Sequence, residues 1–327
     1  MVIVFFGTPA FAVPTFDALQ RSHHQIAGVV TQPDRPRGRG QKTSDSPMKA
    51  RAVATGVPVL QPDRLKDPSF IEAFTALRPD LGVVAAYGKI LTEQVLAIPR
   101  FGMVNVHASL LPKYRGAAPV HRAVMAGETE TGVTIMRVVK ALDAGPMLAK
   151  AVRAIGPEET SDQVERALAG LGASLLVETV DRLSSGGVDE VPQDDADATY
   201  APRITRDDGL IDWTRPAQAI HDQIRGLHPW PHAFSFVDGR RIILWTSSVV
   251  TAGPEGRGTA GPEGPALQER RVPGTILESG HGRLHVATGS AALSMTMLQV
   301  EGRRPLPVRE FLAGNPLPPG ARFTSAP

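Results

Sequence analysis

Three residues carry the chemistry that can be read from this chain: Asn105 and His107 in Met103-Val-Asn-Val-His107, and Asp143 in Leu142-Asp-Ala-Gly145. Alternation along a strand sends Asn105 and His107 to one face, so an amide and an imidazole stand side by side near a strand end. Asp143 falls at a turn between two apolar runs, Thr131 to Val139 and Met147 to Ile155. A hydrogen-bonding amide, a base that titrates near neutrality and a carboxylate together suit acyl transfer to an amine. Such a reaction needs a tetrahedral oxyanion stabilised and an ammonium deprotonated. An isolated histidine on an apolar strand is usually structural, so the surrounding sequence has to carry the reading.

Composition sets the outer limits. At 327 residues, 42% hydrophobic and 21% charged, the chain has the profile of a globular protein long enough for two domains. Its formal net charge is +2, so any nucleic-acid footprint must be local. The absence of cysteine excludes disulfides, thiol nucleophiles and thiolate metal sites, and the expected compartment is a reducing cytoplasm. Among the nine histidines no HExxH or similar ligand spacing occurs, and His23-His24 sits at a helix-to-strand junction; no metal is expected. Met1-Val-Ile-Val-Phe-Phe6 lacks the basic start of a signal peptide and reads as a buried strand. No apolar run approaches the roughly 20 residues of a membrane span, so no membrane partner is expected.

The elements that must hold the three residues follow from hydrophobic periodicity. Val2 to Phe6, Gln25 to Thr31, Val57 to Leu60, Leu81 to Ala86 and Met103 to His107 are apolar without polar alternation, as strands buried on both faces are. Helices are signalled at Val13 to Arg21, from Ser46-Pro47 onward, and at Pro68 to Leu77. The pattern predicts an α/β Rossmann-like parallel sheet with helices on both faces. An amphipathic helix from Ser161 to Leu183, with Val164, Leu168, Leu171, Leu175 and Val177 on its apolar face, closes this domain. The segment Gly187 to Tyr200 is polar and aperiodic and reads as a linker. Beyond it, a helix at Ala217 to Arg225 precedes short strands at Ala233 to Val237, Arg241 to Trp245, Gly274 to Leu277, Arg283 to Ala287 and Leu293 to Val300, the pattern of a small antiparallel barrel. Trp230, His228 and His232 in the Pro-flanked cluster read as packing residues. Residues 252–266, rich in Gly and Pro, read as an insertion between strands.

Gly7-Thr8-Pro9 follows the first strand but lacks GxGxxG spacing, and Pro9 removes an amide that would face a pyrophosphate, which argues against a nicotinamide cofactor. The run Asn105-Val-His107, Ser109-Leu-Leu-Pro112, Tyr114-Arg-Gly-Ala-Ala-Pro119, Thr131-Gly-Val-Thr-Ile135 and Leu142-Asp-Ala-Gly145 resembles the folate-dependent formyltransferases. From Gly7-Thr-Pro-Ala-Phe11 to Glu301-Gly-Arg303 the chain is similar to the branch of that family that acts on methionyl-tRNA. The resemblance implies 10-formyltetrahydrofolate as formyl donor, with Asn105, His107 and Asp143 catalytic. It places the reduced folate against Ser109, Leu110, Leu111 and Pro112 and against Ala86, Tyr87 and Gly88, and it puts Phe11 near the methionyl side chain. It also makes the second domain an OB-like barrel.

The segment Asp34-Arg-Pro-Arg-Gly-Arg-Gly-Gln-Lys42 carries four cations and one acid, a net of +3 in nine residues. Arg35, Arg37, Arg39 and Lys42 leave the second strand close to the expected site, where an Arg-rich loop can neutralise phosphates. In the resembled branch this loop enters the acceptor stem of initiator tRNA, whereas sugar and glycinamide ribonucleotide formyltransferases lack it. Arg203 and Arg206 stand where the family commonly has Lys and keep phosphate affinity. The expected organisation is a catalytic domain at 1–188, a linker at 189–206 and a tRNA-binding domain at 207–327, in a monomer. The rival readings are a sugar-nucleotide N-formyltransferase, a formyltetrahydrofolate hydrolase, and a non-catalytic RNA-binding module.

Overall fold

The computed structural model describes residues 1–34, 36–37, 42–250 and 272–326. Arg35, Arg39 and the Gly/Pro-rich stretch at 252–266 lie outside the described residues. The chain forms two compact units: Met1–Val120 with Glu130–Ile155 and Gln163–Arg203, and His121–Thr129 with Gly156–Asp162 and Ile204–Pro327. Two short pieces of the expected first domain, His121–Thr129 and Gly156–Asp162, therefore group with the second unit.

The first unit runs β1 (Val2–Gly7), α1 (Ala12–Arg21), β2 (Gln25–Val30), β3 (Pro36–Arg37), β4 (Lys42–Thr43), α2 (Pro47–Ala54), β5 (Val59–Leu60), α3 (Pro68–Ala76), β6 (Leu81–Ala85), α4 (Glu93–Leu96), β7 (Met103–His107) and β8 (Arg115–Gly116). It continues with α5 (Pro119–Met125), which ends in the second unit, then β9 (Glu130–Arg137), β10 (Met147–Ala154), α6 (Ser161–Ser184) and β11 (Tyr200–Ala201). One seven-stranded sheet has the order β10-β9-β7-β6-β1-β2-β5. Strands β5, β2, β1, β6 and β7 are parallel, and β9 and β10 add an antiparallel hairpin at one edge. Strands β1, β6 and β7 bury nearly every residue and β2 its last three, while β10, at the edge, alternates half-buried and exposed positions along most of its length. Ser46 caps α2 by accepting from the Lys49 amide, with Pro47 in the first turn.

On α6 the buried seam is Val164, Leu168, Gly172, Leu176 and Val180, whereas Leu171, Leu175 and Val177, expected on the apolar face, are only half-buried. The seam advances by four residues and passes through a glycine, which a hydrophobic pattern does not register. A Cβ at Gly172 would press on Val106 and Val133 of the sheet, so its absence lets the helix lie close to β7 and β9.

The second unit contains α7 (Ala217–Gly226), β12 (Ala233–Val237), β13 (Arg240–Val250), β14 (Ile276–Gly280), β15 (Arg283–Ala287), β16 (Ala292–Val300), β17 (Leu306–Pro307) and α8 (Val308–Gly314). Its strands form an antiparallel sheet of order β12-β13-β16-β15-β14, with β17 on β16. The C-terminal segment touches both edges, since Thr324 bridges Phe236 of β12 and Arg322 bridges Thr275 beside β14. Ile220, Leu244, Leu298, Phe311 and Phe323 share one core with Trp213, whose indole donates to Ser235 Oγ at 2.9 Å.

Trp230 does not pack as expected: it is 52% exposed. The aromatic of that cluster is Trp245 on β13, its ring 4.0 Å from His232 and 5.6 Å from His228. Burial, with the neighbouring His228, pushes the His232 pKa from 6.5 down to about 4. The folded ring therefore stays neutral where the unfolded one takes up a proton, and the stability it contributes is full above pH 6.5 and is lost as pH falls towards 4. In thermal melts between pH 7 and 4.5, His232→Gln is expected to flatten the acid side of the profile. An unchanged profile would show that His232 is not held neutral.

Candidate active site

His107 is the last residue of β7, and it pairs across the sheet with Thr134 of β9; Asn105 pairs with Met136 on that side and with Val84 of β6 on the other. Two-residue spacing puts both side chains on one face at the carboxyl edge of the parallel strands. The chain then turns through Ser109 to Pro112, and that turn is cross-braced. Thr134 Oγ1 donates to the Ser109 carbonyl at 2.7 Å and accepts from the Leu111 amide at 3.1 Å, while Ser109 Oγ donates to the Lys113 carbonyl at 2.6 Å. Ser109 and Leu111 are thus buried supports, and Leu110 and Pro112 remain partly accessible.

His107 is 5% exposed, with Nε2 3.0 Å from the Tyr114 carbonyl oxygen. A carbonyl can only accept, so Nε2 carries the proton, and Nδ1 faces Asp143 Oδ2 at 3.7 Å. Catalytic contacts of this kind are often long without substrate and tighten when it binds. Asp143 occupies the turn between β9 and β10 with a φ of 47°, a left-handed conformation that Asp tolerates better than most residues. The same Oδ2 accepts the Gly116 amide at 2.9 Å, which fixes the carboxylate against the β8 backbone.

The sequence reading missed the groups that hold this turn in place. Gln193 Nε2 donates to the carbonyls of Asp143 and Gly145, both at 2.8 Å, and its Oε1 accepts from Arg115 Nε at 3.0 Å. Arg115 is buried and pairs with Asp195 at 2.8 Å. Tyr200 and Ala201 form the two-residue ladder β11 along β8. The segment read as a linker is therefore a brace of the first unit as far as Ala201, and its polarity comes from these bonds. A Cβ on Gly145 would overlap the Arg137 carbonyl oxygen. Gly145→Ala is expected to cost about 1–3 kcal/mol of stability and to shift Asp143, so that Tm and turnover fall together. Wild-type turnover would show that the position of Asp143 does not depend on this contact.

The order of the parallel strands reverses about β1, and ligands of open α/β sheets bind at such a switch point, beyond the carboxyl ends of the strands. A cavity of about 350 Å³ lies there, lined by Thr8, Pro9, Gln32, Pro33, Asp34, Ser44, Ser46, Ala86, Tyr87 and Gly88. The Tyr87 carbonyl accepts from Thr8 Oγ1 at 3.2 Å and Gln32 Nε2 at 3.0 Å. The Tyr87 ring, however, points into the core against Phe6, and burial pushes its hydroxyl pKa up to about 12. Asp34 is held by Lys49 and by Gln61, and the hydrogen bond from Lys49 keeps its carboxyl below the usual range. Because β6 and β7 are adjacent and parallel, Ala86 to Gly88 and His107 share one sheet edge.

The remaining expected residues are dispersed. Phe11 is buried at the start of α1. Arg203 and Arg206 are exposed. His121, which is not among the expected residues, is half-buried in the second unit, where burial lowers its pKa. Arg37 and Lys42 are backbone partners in the register of the short β3–β4 ladder.

A parallel sheet with an amide, an imidazole and a carboxylate at its carboxyl edge, followed by an antiparallel domain, is an arrangement suited to group transfer. The chain belongs to the formyl transferase family: residues 1–180 match the model described as "Formyl transferase" and residues 203–316 the one described as "Formyl transferase, C-terminal domain". It is 46% identical over 320 residues to the methionyl-tRNA formyltransferase of Citrifermentans bemidjiense, covering 98% of this chain and 95% of that one. Identity to the methionyl-tRNA formyltransferase of Moorella thermoacetica is 43% over 320 residues, covering 98% of each. Among solved structures, the N-formyltransferase from Helicobacter canadensis with folinic acid and dTDP-3-aminofucose has the same fold, with a TM-score of 0.64 at 15% identity over 90% of this chain and 99% of that one. HypX from Aquifex aeolicus with tetrahydrofolic acid matches with a TM-score of 0.62 at 16% identity, covering 95% of this chain and 46% of that one.

Proposed function

We propose that the chain transfers the formyl group of 10-formyltetrahydrofolate to the α-amino group of methionyl-initiator tRNA. The observation that carries this reading is His107 facing Asp143 across 3.7 Å at the carboxyl sheet edge, with Asn105 on the same strand face. The acceptor is supported by nearly full-length likeness to methionyl-tRNA formyltransferases and by the basic segment at Arg35, Arg37, Arg39 and Lys42, with Arg203 and Arg206 as further phosphate contacts. The residues at the switch point fit a reduced folate. The cavity is of ligand size, and Ala86 and Gly88 are exposed there in left-handed conformations that present backbone groups. Leu110 and Pro112 are the accessible members of the neighbouring turn.

Bound 10-formyltetrahydrofolate supplies the formyl carbon, which gains a bond to the acceptor nitrogen and loses its bond to N10. Asn105 and His107 donate hydrogen bonds to the oxygen that becomes an oxyanion. For that task the Nε2–H that the Tyr114 carbonyl accepts is redirected to the developing oxyanion. Asp143 orients His107 or a water, takes up the proton released by the attacking amine and returns it to N10 as that nitrogen leaves, while Gly116 and Gln193 keep it in place. Neither a covalent enzyme intermediate nor a metal is required. Phe11 belongs beside the methionyl side chain.

In this reading residues 1–188 perform the chemistry, 189–206 brace the Asp143 turn as far as Ala201 and then connect, and 207–327 bind tRNA as an OB-like domain. The protein acts as a cytoplasmic monomer. Among the described residues no helix is long and apolar enough to cross a membrane. The deciding experiment supplies the purified chain with 10-formyltetrahydrofolate and either charged initiator tRNA or a dTDP-amino sugar. Formylation of the tRNA alone is expected, and formylation of the sugar nucleotide alone would overturn the assignment.

A further inference from the structure

A second cluster of ligating side chains lies at the opposite, amino edge of the parallel sheet. His23 and His24 occupy the turn between α1 and β2, and Asp181 stands near the C-terminal end of α6, 157 residues after His24. One ligand atom from each of the three lies within 4.8 Å of the other two. His24 Nε2 is 2.8 Å and His23 Nε2 3.6 Å from the same oxygen, Asp181 Oδ1. The Met1 amino nitrogen lies 3.2 Å from His24 Nδ1, so the other ring nitrogen is already occupied and Nε2 is the one presented to the carboxylate.

We propose that His23, His24 and Asp181 form a binding site for a divalent transition cation of the zinc type. Two imidazole nitrogens and one carboxylate oxygen are the donor set of borderline cations such as Zn²⁺, whereas Mg²⁺ demands an oxygen shell. Ligand atoms about 2.1 Å from a tetrahedral zinc stand about 3.4 Å apart. The His23 spacing of 3.6 Å already meets that requirement, and the His24 spacing of 2.8 Å needs to open by about half an ångström as the cation replaces the Nε2 proton, which leaves to solvent while Nδ1 takes a proton from the Met1 ammonium. Asp181 and His23 are partly and largely exposed, at 45% and 69%, so the cation enters from solvent and water completes its coordination. A bound ion joins the end of α6 to the α1–β2 turn. It cannot take part in formyl transfer, because the catalytic constellation is at the other edge of the sheet.

The site is tested with the full chain, free of any histidine tag and stripped with a chelator, by calorimetric titration with ZnCl₂ and with MgCl₂. Zn²⁺ is expected to bind with one more equivalent than in His23→Ala/Asp181→Asn, to raise Tm in a concentration-dependent way, and to leave turnover unchanged; Mg²⁺ should do neither. His23→Ala alone is expected to weaken Zn²⁺ binding by about tenfold or more, and because that ring is exposed the variant keeps its fold. The same Zn²⁺ isotherm for wild type and both variants would overturn the proposal and reduce the cluster to a hydrogen-bonded His–Asp pair. Mg²⁺ binding that the variants abolish would overturn the assigned class of cation.

Discussion

Asn105→Ala and His107→Ala are each expected to lower kcat by about 10²- to 10³-fold, the usual cost of removing one donor from an oxyanion site. Affinity for tRNA should stay nearly unchanged, since in the proposed mechanism these side chains act on the charge that develops at the formyl oxygen and not on phosphates. Asp143 allows a cleaner separation of chemistry from structure. Its carboxylate both faces His107 and accepts the Gly116 amide, so Asp143→Ala loses the two roles together. Asp143→Asn keeps an oxygen for Gly116 and loses only the negative charge and the ability to take a proton. It should therefore melt like wild type and still lose turnover on the same scale as the alanine variant. Steady-state kinetics on charged initiator tRNA, beside thermal melts, decides the matter. Half the wild-type rate in His107→Ala would remove the imidazole from the mechanism.

What the sequence made legible was what hydrophobic burial alone dictates. Strands β1, β2, β6 and β7 are covered on both faces, so their runs of Val, Ile and Phe stand out, and with them the shared face of Asn105 and His107. Their pairing with Asp143 came from family resemblance, because a turn residue 36 positions after His107 has no periodic relation to it. The brace of that turn was illegible for a different reason. Gln193, Asp195 and Thr199 sit in a polar, aperiodic stretch that has the composition of a linker, yet each bonds to the β8 strand or its flanks or to the turn that carries Asp143. Gly172 was lost from the α6 seam because a contact made by the absence of a side chain leaves no apolar signal. The third member of the His23, His24 and Asp181 cluster was hidden by chain separation. Trp230 and Trp245 were not told apart because both lie among aromatic and apolar neighbours, and only the strand register of β13 shows which indole meets the histidines.

Replacing Arg35, Arg37, Arg39 and Lys42 together by Ala is expected to cost tRNA affinity and not chemistry. Each phosphate contact made by a cation releases counterions, worth about 0.7 to 0.9 units in the slope of log affinity against log salt. Losing four should flatten that slope by about three to four units. Between 50 and 200 mM salt the wild-type affinity should accordingly fall about 100-fold further than that of the variant. The β3–β4 ladder sets Arg37 opposite Lys42, so these two cations sit at matched positions on neighbouring backbones, and both belong to a nine-residue stretch with a net charge of +3. Arg203 and Arg206 are exposed elsewhere on the chain and leave some residual binding. Folate binding and Tm should be unaffected, because Asp34 keeps its own partners Lys49 and Gln61 and the cavity walls are untouched. Unchanged tRNA affinity with an unchanged salt slope would make the segment ordinary solvated surface. It would also remove the feature that argues most directly for an RNA acceptor, leaving an amino group on a sugar nucleotide as the better candidate.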